Sequence, residues 1–245
     1  MSVIHTKETD STSNYLKELA LRQQLEEGTI VFTDFQTAGK GQRGNSWESE
    51  KEKNLLFSII LYPVQVRANE QFILSQIISL AIADLLSNYT GDITVKWPND
   101  IYWKDKKICG ILLENTLQGE KISQSVIGIG ININQQQFLS DAPNPVSLTQ
   151  ITGKEYLLND LLKEAQANIF YYYSKLESGD IESIVRHYKN SLFRREGFHL
   201  YNDGFGNFSA QIKDIEPNGI LVLETLDRVE RKFAFKEVKY ILSEN

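Results

Sequence analysis

The sequence is poor in residues that build cross-links and metal sites: its 245 residues include one cysteine, Cys109, and only three histidines. A single cysteine excludes an intramolecular disulfide framework and any metal site made of clustered cysteines. Scarce thiols suit a reducing compartment, and the first residues lack the basic-then-apolar order of a signal peptide. We therefore expect a cytoplasmic protein.

Long apolar runs and excess positive charge are also missing. No apolar run approaches the roughly 18–20 residues that a membrane span needs, so we expect no membrane association. Lysine and arginine total 26 against 32 aspartate and glutamate residues, which gives a formal net charge of −6 at pH 7. A broad nucleic-acid-binding surface is not expected from this balance, so any anion site must be local.

Hydrophobic residues make up 41% of the chain and charged residues 24%, as is typical of a globular protein. Apolar periodicity predicts helices over 13–27, 69–88, 158–178 and 180–193, with Asn69 and Asp180 as N-caps. β-Branched and aromatic runs predict strands at 29–35, 55–62, 93–97, 101–103, 108–117 and 125–134. The resulting fold class is α+β, with a mixed, largely antiparallel sheet flanked by helices.

The pattern changes from Gly197 onward to short β runs separated by turns at 202–204 and 217–219. These runs lie at 199–201, 208–215, 220–224 and 231–235. They predict a small C-terminal β-barrel. We expect a main domain over residues 1–196 and a small domain over 197–245.

A loop at 36–47 combines three glycines and two cations with no acidic residue. Its Gly39-x-Gly41-x-x-Gly44 spacing matches the dinucleotide fingerprint, but a strand follows where a helix is required, and the downstream acid is missing. Asn45 stands where a P-loop needs lysine, so that interpretation fails too. A loop for an anionic ligand remains, unless the segment is simply a solvated turn. Its charge would come from Lys40 and Arg43, and Trp47 would offer a flat apolar surface.

Two further segments carry candidate chemistry. Residues 95–100 and 106–114 place Lys96 and Lys107 on adjacent predicted strands, although lysines here could also form an ordinary charged hairpin tip. Cys109 between them is interpreted as a small core residue. Residues 126–134 form an apolar strand whose glycines permit close approach of a ligand, and Asn132 in that strand needs a hydrogen-bond partner.

Together these segments resemble the bacterial biotin–protein ligases (biotin–[acetyl-CoA-carboxylase] ligases). Residues 10–16 are similar to the family's Asp-Ser-Thr-Asn element, and 36–47 to its Gly-Arg-Gly-Arg-x-Gly loop. Residues 96–100, with Lys107 and Gly110, resemble the Lys-Trp-Pro-Asn-Asp…Lys-x-x-Gly signature, and 128–132 resembles Gly-x-Gly-Ile-Asn. Ser13 and Gln42 depart from this pattern, since the family often has Asn and Arg there.

The resemblance implies a biotin/lipoate ligase-like catalytic domain followed by an SH3-like domain. It implies ATP and biotin as substrates, Mg²⁺ accompanying the nucleotide phosphates, and no residue assigned as a metal ligand. Biotinyl-5'-AMP would form first, and a lysine of a biotin carboxyl carrier protein would then take the biotinyl group. Because the signature begins at Asp10, we expect no DNA-binding helix-turn-helix and no DNA partner. The chain would act as a monomer or homodimer.

The resemblance also implies roles for individual residues. Lys107, Lys40 and Arg43 would be catalytic. The predicted ATP-binding residues are Lys40, Arg43, Trp47, Asn99 and Asn132. The predicted biotin-binding residues are Ser11, Thr12, Ser13, Gln36, Gly39, Lys40, Gly41, Gln42, Lys107, Gly110 and Gly128.

Two other functions stay open at the level of sequence. A lipoate–protein ligase would resemble this chain in fold and in acyl-adenylate chemistry. A non-catalytic biotin-binding module would make Lys40 and Lys107 incidental surface charges. Modification of a carrier domain separates the first alternative, and ATP-dependent pyrophosphate release separates the second.

Overall fold

A computed structural model describes residues 2–42, 45–140 and 144–242. Its largest element is a seven-stranded sheet with the order β1-β2-β3-β7-β6-β5-β4. The strands are β1 (Val3–Thr6), β2 (Ile30–Thr33), β3 (Leu55–Leu61), β4 (Ile93–Lys96), β5 (Asp100–Trp103), β6 (Lys106–Gln118) and β7 (Lys121–Ile131). β1 pairs with β2 in parallel and every other neighbouring pair of this sheet is antiparallel, which confirms the predicted mixed sheet.

Helices flank this sheet, as the sequence predicts. They are α1 (Thr12–Arg22), α2 (Phe72–Ser87), α3 (Leu148–Thr152), α4 (Leu158–Glu177) and α5 (Ile181–Asn190). α1 ends earlier than the predicted helix over 13–27. β1 and α3 were not predicted, because at four and five residues they are too short to show a period.

The predicted capping residues need correction. Asn69 lies in a 3-10 turn at Ala68–Glu70, and Gln71 precedes α2 without a side-chain capping bond, so the prediction for Asn69 is wrong. Asp180 does stand at the N-cap of α5, as predicted, and its carboxylate accepts a hydrogen bond from the Ser183 hydroxyl. Both helices depend on packing of their apolar faces more than on caps.

α2 is apolar on almost every side and forms the centre of the core. By length and hydropathy alone, Ala68–Ser87 could cross a membrane, a property that inspection for uninterrupted apolar runs did not reveal. In the structure 78% of an 18-residue apolar stretch of this segment is buried inside the protein, as befits a core helix.

The C-terminal part forms a five-stranded antiparallel sheet with the order β11-β10-β9-β8-β12. Its strands are β8 (His199–Asn202), β9 (Asn207–Ile215), β10 (Leu221–Thr225), β11 (Glu230–Phe233) and β12 (Lys239–Tyr240). Tyr201, Leu221 and Phe233 belong to the same buried apolar cluster as α2. The Trp97 indole N–H donates to the Gly219 carbonyl at 3.0 Å. The division at 196/197 stays a prediction, since one apolar core extends across it.

Candidate functional site

A pocket opens on the face of the large sheet where α1, β6, β7 and the 36–47 loop meet. It brings together most of the predicted biotin-binding residues, which come from four separate segments of the chain. Its lining consists of Ser11, Thr12, Ser13, Gln36, Lys40, Gly41, Gln42, Trp47, Asp100, Lys107, Gly110, Ile111, Leu112, Gly128, Ile129 and Gly130.

One part of the pocket is a cluster of buried hydroxyls at the start of α1. The hydroxyls of Thr12 and Ser13 lie 2.7 and 2.9 Å from the Ser58 hydroxyl. Gln36 accepts from the Thr12 backbone N–H at 2.8 Å, which fixes the side-chain amide beside them. Ser58 was missed by sequence reasoning, although a lone serine in the fully buried strand β3 was the available signal. The cluster offers both donors and acceptors to a polar group.

The pocket floor is made of glycines on paired strands. Gly110 faces Gly130 and Leu112 faces Gly128 across the β6–β7 ladder. A Cβ atom at Gly128 would lie 2.5 Å from the Ser13 hydroxyl oxygen, so the glycine allows α1 to approach the sheet. The predicted role of strand glycines as points of close approach is thus confirmed for α1.

The indole of Trp47 packs flat against this floor. A Cβ atom would lie 2.7 Å from the ring at Gly110 and 2.5 Å from it at Gly130. The indole N–H is buried without a hydrogen-bond partner in the described residues, and the Lys107 ammonium lies 5.7 Å from the ring centroid. Gly130 was not singled out from the sequence, yet it makes the closer contact.

The 36–47 loop folds as a narrow hairpin. Trp47 N–H donates to Gly39 C=O, and Gly41 N–H donates to Asn45 C=O, both at 2.8 Å. Gly39 does not line the pocket, and its missing side chain makes room for the Trp47 carbonyl. Arg43, predicted to be catalytic and to bind ATP, lies outside the described residues.

Lys40 ties this hairpin to α1. Its ammonium donates to the Asn14 side chain at 2.5 Å, and Asn14 in turn donates to Asp10. The hydrogen bond from Asn14, with help from Lys40, holds the pKa of Asp10 below its usual value against the opposing effect of burial. Lys40 therefore stands at the pocket rim with its charge engaged by polar groups of the α1 start.

Lys107 is the cation held most firmly in the pocket. Its backbone N–H donates to Asn144 C=O and its own C=O accepts from Val146 N–H, both at 2.9 Å. Its side chain extends over Gly110, and its ammonium lies 2.7 Å from a carboxylate oxygen of Asp100. Asp100 was quoted in the sequence motif but was not among the predicted site residues. Lys107 is therefore more than a solvated charge at a hairpin tip, which was the alternative interpretation of this segment.

The two predicted asparagines do not line this pocket, although Asn99 lines a neighbouring cleft that shares Gln42 and Leu112 with it. The Asn99 side chain donates to the Ile111 carbonyl, and the Asn132 side chain donates to the Val146 carbonyl at 3.2 Å. The predicted need of Asn132 for a partner is confirmed, although its side-chain oxygen has none among the described residues. Cys109 is buried, which raises the pKa of its thiol, as expected of a core residue.

Comparison with known proteins shows which family this chain resembles. A model of the biotin/lipoate A/B protein ligase family matches residues 6–132. The bifunctional ligase/repressor BirA of Bacillus spizizenii is 34% identical over 160 residues, covering 62% of this chain and 48% of that protein. The Escherichia coli BirA is 36% identical over 125 residues, covering 51% of this chain and 38% of that protein. The chain spans about half the length of the first of these relatives.

Solved structures agree with the sequence matches. The biotin protein ligase of Aquifex aeolicus in complex with biotin and ATP aligns with a TM-score of 0.80 at 25% identity, covering 99% of both chains. The biotin protein ligase of Leishmania major in complex with biotinyl-5-AMP aligns with a TM-score of 0.66 at 20% identity, covering 95% of this chain and 98% of that one. The second similarity shows the fold alone. Because the family model matches more than half of the sequence, the chain belongs to the biotin/lipoate A/B protein ligase family.

Proposed function

We propose that this protein is a biotin–protein ligase, which activates biotin with ATP and transfers the biotinyl group to a carrier lysine. Family membership and the names of the relatives favour biotin over lipoate as the acid. The observation that carries the proposal is the arrangement of one pocket, with a hydroxyl cluster at Ser13 and Ser58 and an ammonium at Lys107.

The separation of these two polar groups suits biotin. The hydroxyl cluster lies beside Gly128, which pairs with Leu112, and the Lys107 side chain reaches the level of Gly110 on the same strand. Two residues along a strand span roughly 7 Å. The hydroxyls and Gln36 would bind the ureido ring, the apolar floor would hold the valeryl chain, and Lys107 would meet the carboxylate.

The first chemical step would join two anions. A carboxylate oxygen of biotin attacks the α-phosphorus of ATP, the bond from that phosphorus to the bridging oxygen breaks, and pyrophosphate leaves. Lys107 would stabilise the negative charge shared by the carboxylate and the α-phosphate, which is the way preorganised donors act. Lys40 and Arg43 of the hairpin would add charge over the same intermediate, with Trp47, Asn99 and Asn132 on the nucleotide side.

The second step would consume the adenylate. The neutral amine of a lysine on a biotin carboxyl carrier protein attacks the carbonyl of biotinyl-5'-AMP, AMP leaves, and the amine loses a proton as the amide forms. Both nucleophiles thus belong to the substrates, so the chain needs cations and backbone N–H groups more than a catalytic triad. The cytoplasm, which supplies ATP, would be the compartment, and a monomer or homodimer would suffice.

Mg²⁺ would enter this site together with the nucleotide phosphates. Among residues 2–42, 45–140 and 144–242, no three His, Cys, Asp or Glu side chains come together as a metal cage. Mg²⁺ commonly binds through substrate phosphates and retained waters, and it would neutralise phosphate charge in that form.

The test measures both half-reactions on one preparation. Pyrophosphate release should require biotin and ATP together, and a biotin carboxyl carrier domain should gain the mass of one biotinyl group on a single lysine. Lipoate supplied in place of biotin should give neither product. Lipoyl transfer would establish the lipoate ligase instead, and biotin binding without pyrophosphate release would establish a non-catalytic binder.

A further inference from the structure

Lys96, at the end of β4, is a cation held by aromatic rings. Its ammonium lies 5.1 Å from the ring centroids of both Tyr102 on β5 and Tyr240 on β12. No carboxylate of the described residues lies within salt-bridge distance of it. Burial lowers the pKa of Lys96, although nearby Asp100 opposes that effect. Aromatic faces fix the position of a cation without placing an opposite charge beside it, so the Lys96 ammonium can still attract a neighbouring carboxylate.

The sheet register places Lys96 in line with the pocket. Lys96 faces Asp100 across the β4–β5 ladder, and Asp100 faces Gly110 across the β5–β6 ladder. Directly facing residues project from the same side of a sheet, with Cβ atoms about 5 Å apart. Asp100 lines the pocket and pairs with Lys107 at 2.7 Å. The three side chains therefore form a row of alternating charge, positive, negative and positive.

This charge row has a consequence for the proposed reaction, on which the inference rests. Lys107 is engaged by Asp100 in the structure, and it must turn at least part of its charge toward the carboxylate and α-phosphate during adenylation. Asp100 would then lose its close cation while partly buried beside two anionic substrates. A second cation on the other side of Asp100 offsets that loss, because opposite charges at short range attract each other.

We propose that Lys96, clamped by Tyr240 of the C-terminal sheet, is a positioning residue that holds the Asp100 carboxylate in place when Lys107 engages the substrate anions. The C-terminal sheet thereby acts on the adenylation step through one aromatic ring. The other charged group near the clamp is Arg194, whose guanidinium donates to the Ile241 carbonyl and so fixes β12 beside Lys96. The Tyr240 hydroxyl is buried without a partner in the described residues, so Tyr240 would act on Lys96 through its aromatic ring.

The test is a double-mutant cycle on adenylation in the full chain. Lys96→Met removes the charge and keeps the apolar stem, and Tyr240→Leu removes the ring. We expect each to lower kcat for biotin-dependent pyrophosphate exchange by about tenfold, with the KM for biotin within twofold of the parent value. The double variant should be no slower than Lys96→Met alone, because both changes act through the same cation. Lys96→Arg and Tyr240→Phe should recover most of the lost kcat.

Lys104→Met is the matched control, because Lys104 also lies over an indole, that of Trp103 at 4.8 Å, but on the exposed β5–β6 turn. It should leave kcat unchanged. An unchanged kcat for Lys96→Met, or effects of Lys96→Met and Tyr240→Leu that multiply in the double variant, would overturn the positioning role. If Lys96→Met melts at a lower temperature, failure of Lys96→Arg to recover kcat at a parental melting temperature also overturns it. Absence of exchange in the parent protein would instead refute the ligase proposal.

Discussion

The indole of Trp47 lies so close to Gly130 that a methyl group in place of the glycine hydrogen would come within 2.5 Å of the ring. We therefore expect Gly130→Ala to displace the indole from the pocket floor, since the methyl group and the ring cannot occupy the same space and the paired strand backbone cannot move by that much. Biotin-dependent pyrophosphate release should fall at least tenfold, and tryptophan emission should change. Gly91→Ala is the control, because nothing lies within 4 Å of a Cβ atom there. Normal emission and activity in Gly130→Ala would show that the floor tolerates a side chain.

Lys107→Gln should remove most adenylation while leaving the fold intact. Preorganised stabilisation of developing charge typically contributes about 10²–10³ in rate for each donor. Substitutions at ordinary surface positions stay within about ±0.5 kcal/mol of stability and leave chemistry alone. Pyrophosphate release and thermal unfolding should be compared with Lys104→Gln, a neighbouring exposed lysine. Near-normal release by Lys107→Gln would mean that the assigned role is wrong.

The 36–47 hairpin should become protected when ligands bind. Lys40 at its base is exposed, and the glycines beside it make the segment costly to order without an anion. Cleavage after Lys40 by a lysine-specific protease should slow markedly when biotin and ATP are present together, through stabilisation of the closed form. Cleavage after Lys51 in the exposed turn serves as the internal reference. Equal rates with and without ligands would contradict the role of a lid.

Glu48, next to Trp47, should make the conformation of the segment around Leu139 and Ser140 depend on pH. Its carboxylate accepts from the backbone N–H groups of Leu139 and Ser140, each at 2.8 Å. Burial alone would raise the pKa of Glu48, but the hydrogen bonds from Ser140 and Leu139 outweigh it and hold this pKa below its usual value.

A lowered folded-state pKa means that the stabilisation by Glu48 is complete above the ordinary value of about 4.3 and is lost as pH falls through the lower, folded value. The amide resonances of Leu139 and Ser140 should shift together in that acidic range. Glu48→Gln should abolish the shared titration, whereas Glu50→Gln, with an exposed side chain, should preserve it. Titration of these amides in Glu48→Gln would assign the effect to another group.

The predictions agree best with the structure where an element is defined by regularly spaced apolar residues or by glycines that its backbone requires. The helix α2, the β6–β7 hairpin and the glycine loop were all predicted, because apolar spacing and strand glycines report backbone geometry directly. Ser58 and Asp100 were not among the predicted site residues, since a cross-strand neighbour depends on register that local sequence does not show. Asn99 and Asn132 belong to matching motifs and their side chains bond to backbone carbonyls, so their role toward ATP stays a prediction.

The apolar core that continues from α2 into the C-terminal sheet has a thermodynamic consequence. Tyr201, Leu221 and Phe233 are buried in the same cluster as the helix, so melting either part exposes the apolar surface of the other. We expect a single calorimetric transition whose van't Hoff and calorimetric enthalpies agree, and two resolved transitions would contradict this coupling. A chain cut near residue 196 would lose the last five strands, and the unfolding of the remainder would be less cooperative. The two sheets thus belong to one folding unit.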